Sequence, residues 1–167
     1  MKKNYKEKMI NTIKNLKLPK YEDIPNVGLY LEQVTKYIND LIEPIEDSVT
    51  SSMLSNYVKK GLVSNAVKKQ YSRDNIAYFI FITLAKNIIS LDKISRLIQI
   101  QKSTYSSEMA YNYFILEFEN VNYHVFGLQD ELKKIGGQET DEKILLRNTV
   151  IALSHKIYMT LFFRFYN

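Results

Sequence analysis

The chain contains no cysteine and no tryptophan, and it has only five glycines and three prolines among 167 residues. The lack of cysteine excludes disulfide bonds, thiolate catalysis and zinc sites built on cysteine. The scarcity of turn-forming residues argues against a sandwich of many short strands, which needs frequent turns. Hydrophobic residues nevertheless make up 46% of the chain, which is enough to bury a core. The composition therefore predicts a globular, mainly α-helical fold.

Long apolar runs are also missing. The most apolar stretch, residues 76–85, is shorter than the roughly 20 residues that a bilayer-spanning helix needs. Residues 1–17 are charged and contain no apolar segment of the kind found in signal peptides. We therefore expect a soluble, cytoplasmic protein with no membrane partner.

The net charge of +5 is confined to one short segment. Residues 1–48 contain as many basic as acidic side chains, and the same is true of residues 74–167. Residues 49–73 contain no acid at all. A phosphate-binding surface requires such a local basic patch, although a solvated face with clustered charges would have the same composition. The cations of the segment are Lys59, Lys60, Lys68, Lys69 and Arg73.

Proline positions divide the chain. Pro19 and Pro25 bracket a linker, because proline lacks the N–H donor that a helix interior needs. We predict an N-terminal helix within residues 1–17, a compact domain at 18–102 and a helical hairpin at 103–167.

Periodicity and capping residues predict the individual helices and one small hairpin. A dipeptide, Leu62-Val63, is expected to pair with Gln70-Tyr71, with Lys68 and Lys69 near the tip of the hairpin or in its second strand. The helix that follows Ser72 is apolar on several sides, which predicts the buried centre of the fold. The predicted helices cover residues 3–16, 26–43, 51–60 with a cap at Thr50 or Ser51, 73–88 with a cap at Ser72, and a further helix capped by Ser90.

The C-terminal part has a different pattern. Apolar residues spaced alternately three and four apart run through residues 111–135, which predicts a long helix with a heptad repeat. Gly136-Gly137 predicts a turn, and Thr140 predicts the cap of a last helix. Together the two helices are expected to form a long αα-hairpin.

The last helix has two apolar faces, and only one of them can cover its partner in the hairpin. The other would remain exposed, and therefore we predict a homodimer through residues 111–165. In the alternative, this region folds back on residues 73–100, and its aromatic side chains form a monomer core or line a ligand pocket.

Three short motifs resemble the DNA-binding domain of MerR-family regulators. Residues 53–62 resemble a recognition helix that leads into a Gly-Leu exit, residues 69–72 resemble the end of the wing, and residues 90–94 resemble the fourth helix. Where MerR proteins usually have arginine and a second tyrosine, this chain has Ser55 and Asn56.

A closer resemblance is to the bacterial proteins grouped as domain of unknown function 1836, and it covers about residues 18–100. The matching features are a Leu-Tyr pair, a Met-x-x-Asn-Tyr-Val-Lys helix and a Lys-Lys-x-Tyr-Ser wing. In this chain they are Leu29-Tyr30, Met53 with Asn56-Tyr57-Val58-Lys59, and Lys68-Lys69-Gln70-Tyr71-Ser72.

These resemblances imply a mainly α protein: a MerR-like winged helix-turn-helix with a small two-stranded wing, followed by the C-terminal αα-hairpin. They imply a transcriptional regulator that binds double-stranded DNA, with helix 51–60 in the major groove and wing 62–71 on phosphates. The expected base contacts are Ser52, Ser55, Asn56 and Lys59, and the expected phosphate contacts are Lys60, Lys68, Lys69, the Tyr71 hydroxyl and Arg73.

Interpretations that do not involve DNA also fit two of these residues. Asn56 fits a merely exposed helix position equally well, and Tyr71 fits a core position. The alternative function is a non-catalytic protein-interaction module on a helix-turn-helix scaffold, and salt-dependent DNA binding would distinguish the two.

Catalytic and metal-binding patterns are not apparent. His124 and His155 lack acidic or histidine neighbours at metal-ligand spacing, and Glu117 and Glu119 fit a solvated helix face. Gly136-Gly137 lacks the lysine of a phosphate-binding loop. We therefore expect no cofactor, no metal and no enzymatic activity.

Overall fold

The computed structural model describes residues 4–166, and in that range the chain is mainly helical, as predicted. None of the helices described is long and apolar enough to cross a membrane. Lys3, the expected start of the first helix, lies outside the described residues. The helices are α1 (Asn4–Asn15), α2 (Leu31–Ile42), α3 (Ser51–Lys59), α4 (Arg73–Ala85), α5 (Leu91–Thr104), α6 (Ser107–Val125) and α7 (Asp141–Phe165), with a single 3-10 turn at Tyr21–Asp23 and the strands β1 (Leu29–Tyr30) and β2 (Gln70–Tyr71).

Most helices begin at the predicted capping residues. The Thr50 hydroxyl accepts a hydrogen bond from the backbone N–H of Met53, so that Thr50 is the cap of α3. Ser72 caps α4 in the same way, and the side-chain oxygen of Asn75 accepts a hydrogen bond from the Ser72 backbone N–H. The predicted caps of α5 and α7 at Ser90 and Thr140 are also present.

Helix α4 is the centre of the fold, as its all-round apolar pattern predicts. Its side chains from Asn75 to Ala85 are buried, except for the half-buried Tyr78. Helices α2, α5, α6 and α7 all pack against it, and the small sheet packs against it through β2. Phe79 is completely buried at the middle of this arrangement.

The strands that pair in the small sheet are not those of the predicted hairpin. Strand β2 pairs in antiparallel fashion with β1, with Tyr71 opposite Leu29, and not with Leu62-Val63. Leu62 and Val63 are both buried in the core. The prediction of a 62–63 strand was wrong because the chain reverses tightly at residues 68–69, so that Val67, and not Leu62 or Val63, lies opposite Gln70.

The predicted long helix over residues 111–135 was wrong beyond Val125. Gly127 adopts a positive φ of 73°, and its N–H bonds to the His124 carbonyl. The N–H of Leu128 bonds to the Tyr123 carbonyl, which completes a glycine-terminated helix end. The apolar spacing therefore continues into a non-helical segment, residues 126–140, that joins α6 to α7.

The C-terminal hairpin folds back on the rest of the chain. Helices α6 and α7 pack against each other as predicted, and Phe114 of α6 lies edge-on against Phe81 of α4, with ring centroids 5.1 Å apart. Helix α1 packs along α7, where Tyr5 meets Phe162 and Tyr166 edge-on. The α7 side chains beside this contact, such as Tyr158 and Phe162, are therefore half-buried within the chain, as in the fold-back alternative.

Candidate nucleic-acid interface

The loop before α3 is held in place by one side chain of α2. The amide of Asn39 donates from Nδ2 to the Val49 carbonyl at 2.9 Å and accepts from the Val49 N–H at 2.8 Å. The hydroxyls of Thr35 and Ser51 share a further hydrogen bond of 2.9 Å between α2 and α3. These contacts fix the position of α3 relative to α2.

Helix α3 has one buried and one exposed side. Leu54 and Tyr57 are buried against the core, and burial raises the pKa of the Tyr57 hydroxyl to about 12. Met53 and Val58, on the same apolar side, are only half-buried. Of the four expected base-contacting residues, Ser52, Asn56 and Lys59 are exposed, and Ser55 is half-buried.

The exit of α3 depends on a glycine. Lys60 caps the helix and is exposed, and Gly61 follows with a positive φ of 76°. A Cβ at Gly61 would meet no atom within 4 Å, so that its conformation, and not lack of space, favours glycine. This turn directs Leu62 into the core while Lys60 stays at the surface.

Lys68 and Lys69 form the tip of a tight turn. Val67 and Gln70 exchange two backbone hydrogen bonds of 3.0 Å, and the two lysines between them have positive φ angles of 50° and 63°. Type I′ turns require positive φ at both central residues and favour asparagine and glycine there. Lysine at both positions is strained, and strained backbone is typical of functional sites. Both side chains are exposed, as predicted for a wing tip.

The turn is supported by a close approach of two chain segments. Gly28, just before β1, has a positive φ of 71°, and a Cβ there would lie 2.8 Å from Oε1 of Gln70. The glycine thus permits β1 to lie directly beside β2. The sequence pattern alone does not reveal this role of Gly28, because the role depends on the β1–β2 pairing.

Two expected phosphate contacts are built into the chain, Tyr71 by its ring and Arg73 by its guanidinium. The ring of Tyr71 is buried edge-on against Phe79, with centroids 5.3 Å apart, which is the core alternative. Arg73 donates from Nε to the Ile24 carbonyl at 2.9 Å and from Nη2 to the Glu22 carbonyl at 3.1 Å. Arg73 thereby fastens the 3-10 turn and its exit to the start of α4.

The lysines of the candidate surface are not paired in this way. Within residues 4–166, Lys59, Lys60, Lys68 and Lys69 form no ion pair with an acidic side chain. These four exposed ammonium groups lie on α3, at its C-cap and in the 67–70 turn, and none is neutralised by an acidic side chain that the structure describes. We call Ser52, Asn56, Lys59, Lys60, Lys68 and Lys69 the α3–turn surface.

A known protein family covers the segment of the chain that contains this surface. The family model described as Domain of unknown function (DUF1836) matches residues 19–114. The chain belongs to this family. The DUF1836 segment includes the whole α3–turn surface and ends within α6. No curated protein and no solved structure matches the chain.

The rest of this DUF1836 protein offers no metal centre that the structure describes. No group of three or more histidine, aspartate or glutamate side chains could hold a metal ion between residues 4 and 166. His124 and His155 are both exposed. Glu119 is exposed as predicted, but Glu117 is completely buried and paired with Arg147, so that its assignment to a solvated face was wrong.

Proposed function

We propose that this DUF1836 protein binds double-stranded DNA through the α3–turn surface, as a MerR-like winged helix-turn-helix regulator of transcription. The observation that carries the proposal is the exposed polar side of α3, which lies in a segment that contains five cations and no acid. The order of α2, the fixed loop, α3, the basic turn, α4 and α5 also agrees with a winged helix-turn-helix.

The side chains on α3 suit the major groove, which is wide enough to admit a helix. Asn56 can pair bidentately with the edge of adenine, and Lys59 can donate to guanine. Ser52 lies one turn before Asn56 and can donate or accept. These exposed side chains would read bases, while the half-buried Ser55 would contribute less.

The phosphate contacts in this proposal come from Lys60, Lys68 and Lys69. Tyr71 and Arg73 are left out because their ring and guanidinium are used inside the chain. Three neutralised phosphates predict a slope of log affinity against log salt of about −3 for each bound chain, at roughly −0.9 per phosphate. A lysine contributes charge but lacks the planar fork with which arginine grips a phosphate.

Fluorescence anisotropy with pooled genomic DNA fragments at low salt tests the proposal. The double variant Lys68→Glu/Lys69→Glu should bind at least ten times more weakly, because it replaces two cations with two anions. The control, Lys133→Glu/Lys134→Glu, changes another exposed Lys-Lys pair outside the surface and should retain most binding, apart from a general charge effect. Thermal unfolding would verify that each variant is folded. If the unaltered protein binds no pooled fragment at low salt, the proposal is wrong.

A specific observation favours the protein-interaction alternative as a second candidate. Val27 and Val67 are 79% and 75% exposed, and both lie beside the β1–β2 sheet. Protein-binding surfaces often contain exposed apolar side chains. Binding that depends on Val67 but not on Lys68 and Lys69, and that persists at high salt, would support this candidate over DNA binding. Neither function requires a cofactor or a catalytic group.

A further inference from the structure

A cavity of about 210 Å³ lies among helices α4, α5, α6 and α7. Each helix contributes to its wall: Phe81 from α4, Leu97 from α5, Phe114 from α6 and Leu146 from α7. Protein interiors are close-packed and rarely leave voids larger than a water molecule. A space of this size at the junction of four helices is large enough to hold a small molecule.

The cavity opens to solvent through an apolar rim. Ile100, Met109 and Leu145 line the cavity and yet remain exposed, and they come from three different helices. Large apolar side chains at a surface are costly when they converge on one opening. Their convergence distinguishes this cavity from an internal packing defect, which would have no entrance.

Several polar groups in the wall already have partners in the chain. The Tyr78 hydroxyl lies 2.9 Å from Oε1 of Gln101 and 3.1 Å from the Ser107 hydroxyl. The amide nitrogen of Gln101 donates to the Tyr105 carbonyl at 2.7 Å. Because these groups are satisfied, the wall offers an entering molecule mainly aromatic and aliphatic surface.

The edge of the cavity carries one acidic and one basic side chain. Glu142 and Lys143 both line it, so that neither an anion nor a cation is favoured by net charge. Glu142 accepts a hydrogen bond from Thr104, and Lys143 donates to the Gln138 carbonyl. Burial of an unpaired ionic group in such a site would be costly.

We infer that this cavity binds a compact, uncharged apolar molecule, of the size of a single aromatic ring with a short alkyl group. The size follows from comparison, since an apolar protein cavity of about 150 Å³ can hold benzene. This cavity is larger by roughly the volume of a few methylene groups. The inference stands apart from DNA binding, so that either proposal can fail alone.

The direct test uses ethylbenzene as the probe, followed by chemical shifts of methyl groups in the full chain. We expect saturable 1:1 binding, shifts at residues such as Leu97 and Leu146, and a higher melting temperature, because a ligand that binds only the folded state stabilises it. Benzylammonium, of similar shape but charged, should bind at least ten times more weakly.

A filled cavity provides the decisive comparison. Ala110 lies on α6 in the wall, and Ala110→Phe should abolish ethylbenzene binding. Ala152→Phe adds the same ring at an exposed position of α7 outside the cavity and should leave binding unchanged. Should Ala110→Phe fail to fold, Leu97→Phe replaces it, with at least a tenfold loss expected.

Four results would each overturn the inference, and the first three are no saturation with ethylbenzene up to its solubility, unchanged binding by the folded Ala110→Phe protein, and equal loss in Ala152→Phe. The fourth is a change in the number of associated chains in Ala110→Phe, measured by sedimentation. That result would mean that a second copy of the chain covers the opening.

Discussion

Arg147 and Glu117 form a two-point ion pair that joins α7 to α6. Nε of the arginine lies 2.9 Å from Oε2 of the glutamate, and Nη2 lies 3.0 Å from Oε1. The Glu117 side chain is completely buried, whereas that of Arg147 is 19% exposed. The hydrogen bond to Glu117 raises the pKa of Arg147 above its usual high value. The same guanidinium donates to the Lys133 carbonyl, which ties segment 126–140 to the hairpin.

Removal of the cation should be strongly destabilising. Arg147→Met leaves the buried carboxylate of Glu117 without its partner, and we expect the free energy of unfolding to fall by about 3–5 kcal/mol. Urea denaturation followed by circular dichroism measures this. In the double variant Glu117→Leu/Arg147→Met no buried charge remains, and it should recover most of the loss.

An exposed pair supplies the control for this prediction. Lys36 and Asp40 form an ion pair one helical turn apart on α2, and both side chains are largely exposed. Lys36→Met should cost no more than about 0.5 kcal/mol, because solvent screens such pairs. If Arg147→Met lowered the free energy of unfolding as little as Lys36→Met, the interpretation that the buried Glu117 carboxylate requires its cation would be rejected.

The amide of Asn39 should matter both for stability and for α3. Asn39→Leu removes two hydrogen bonds to the buried Val49 backbone, at about 1 kcal/mol each, and leaves that backbone unpaired. We expect a loss of about 2–3 kcal/mol in urea denaturation. Asn148→Leu is the control, since the exposed Asn148 bonds only to a carbonyl of its own helix. A loss no greater than in the control would contradict the role given to Asn39.

The features that sequence predicts correctly are local ones. The Thr50 cap and the exposed side of α3 depend on residues within three or four positions of one another, which a sequence pattern captures directly. The end of α6 was missed because the heptad spacing continues past Gly127, where a single glycine adopts a positive φ and stops the helix.

Non-local features could not be predicted in this way. The partner of β2 lies about forty residues away in β1, and nothing in the sequence of Gln70-Tyr71 specifies that pairing. Arg73 was expected on a phosphate because a basic residue beside a helix start has the same pattern whether it points outward or bonds to Ile24 and Glu22. Only the three-dimensional path of residues 21–24 decides between these outcomes.

Lys68 and Lys69 of the 67–70 turn should lower the stability of the fold while they add positive charge to the α3–turn surface. A non-glycine residue in the left-handed region costs roughly 1–2 kcal/mol, and Asn-Gly is the preferred pair for this type of turn. The double variant Lys68→Asn/Lys69→Gly should therefore raise the free energy of unfolding by about 1 kcal/mol. In anisotropy titrations it should also bind pooled DNA more weakly, because two phosphate contacts are lost.

The matched control for the turn is Lys133→Asn/Lys134→Gly. Those lysines are equally exposed but do not have positive φ, so that the change should not stabilise the protein. A melting temperature that stays unchanged in the Lys68→Asn/Lys69→Gly variant would mean that the turn is not strained. Stabilisation without any loss of DNA binding would instead remove the two lysines from the proposed interface.

A homodimer through residues 111–165 remains a prediction, and the burial of each α7 side chain determines which substitutions can test it. A MerR-like protein needs two recognition helices about one turn of DNA apart, roughly 34 Å, which a dimer provides. Leu153 is buried within the chain, so that Leu153→Glu would unfold the monomer and not merely separate a dimer. Met159 and Phe163 lie four residues apart on one side of α7 and are 55% and 73% exposed, which makes them the better candidates for a dimer contact.

Sedimentation equilibrium at micromolar concentration decides the matter. We expect twice the chain mass of 19.7 kDa for the unaltered protein and a single chain mass for Phe163→Glu, because a buried carboxylate at the contact would be unpaired. Val27→Glu, at an exposed valine outside residues 111–165, should leave the dimer intact. A mass of one chain at all concentrations would defeat the prediction, and DNA reading by a monomer would then rest on a single α3.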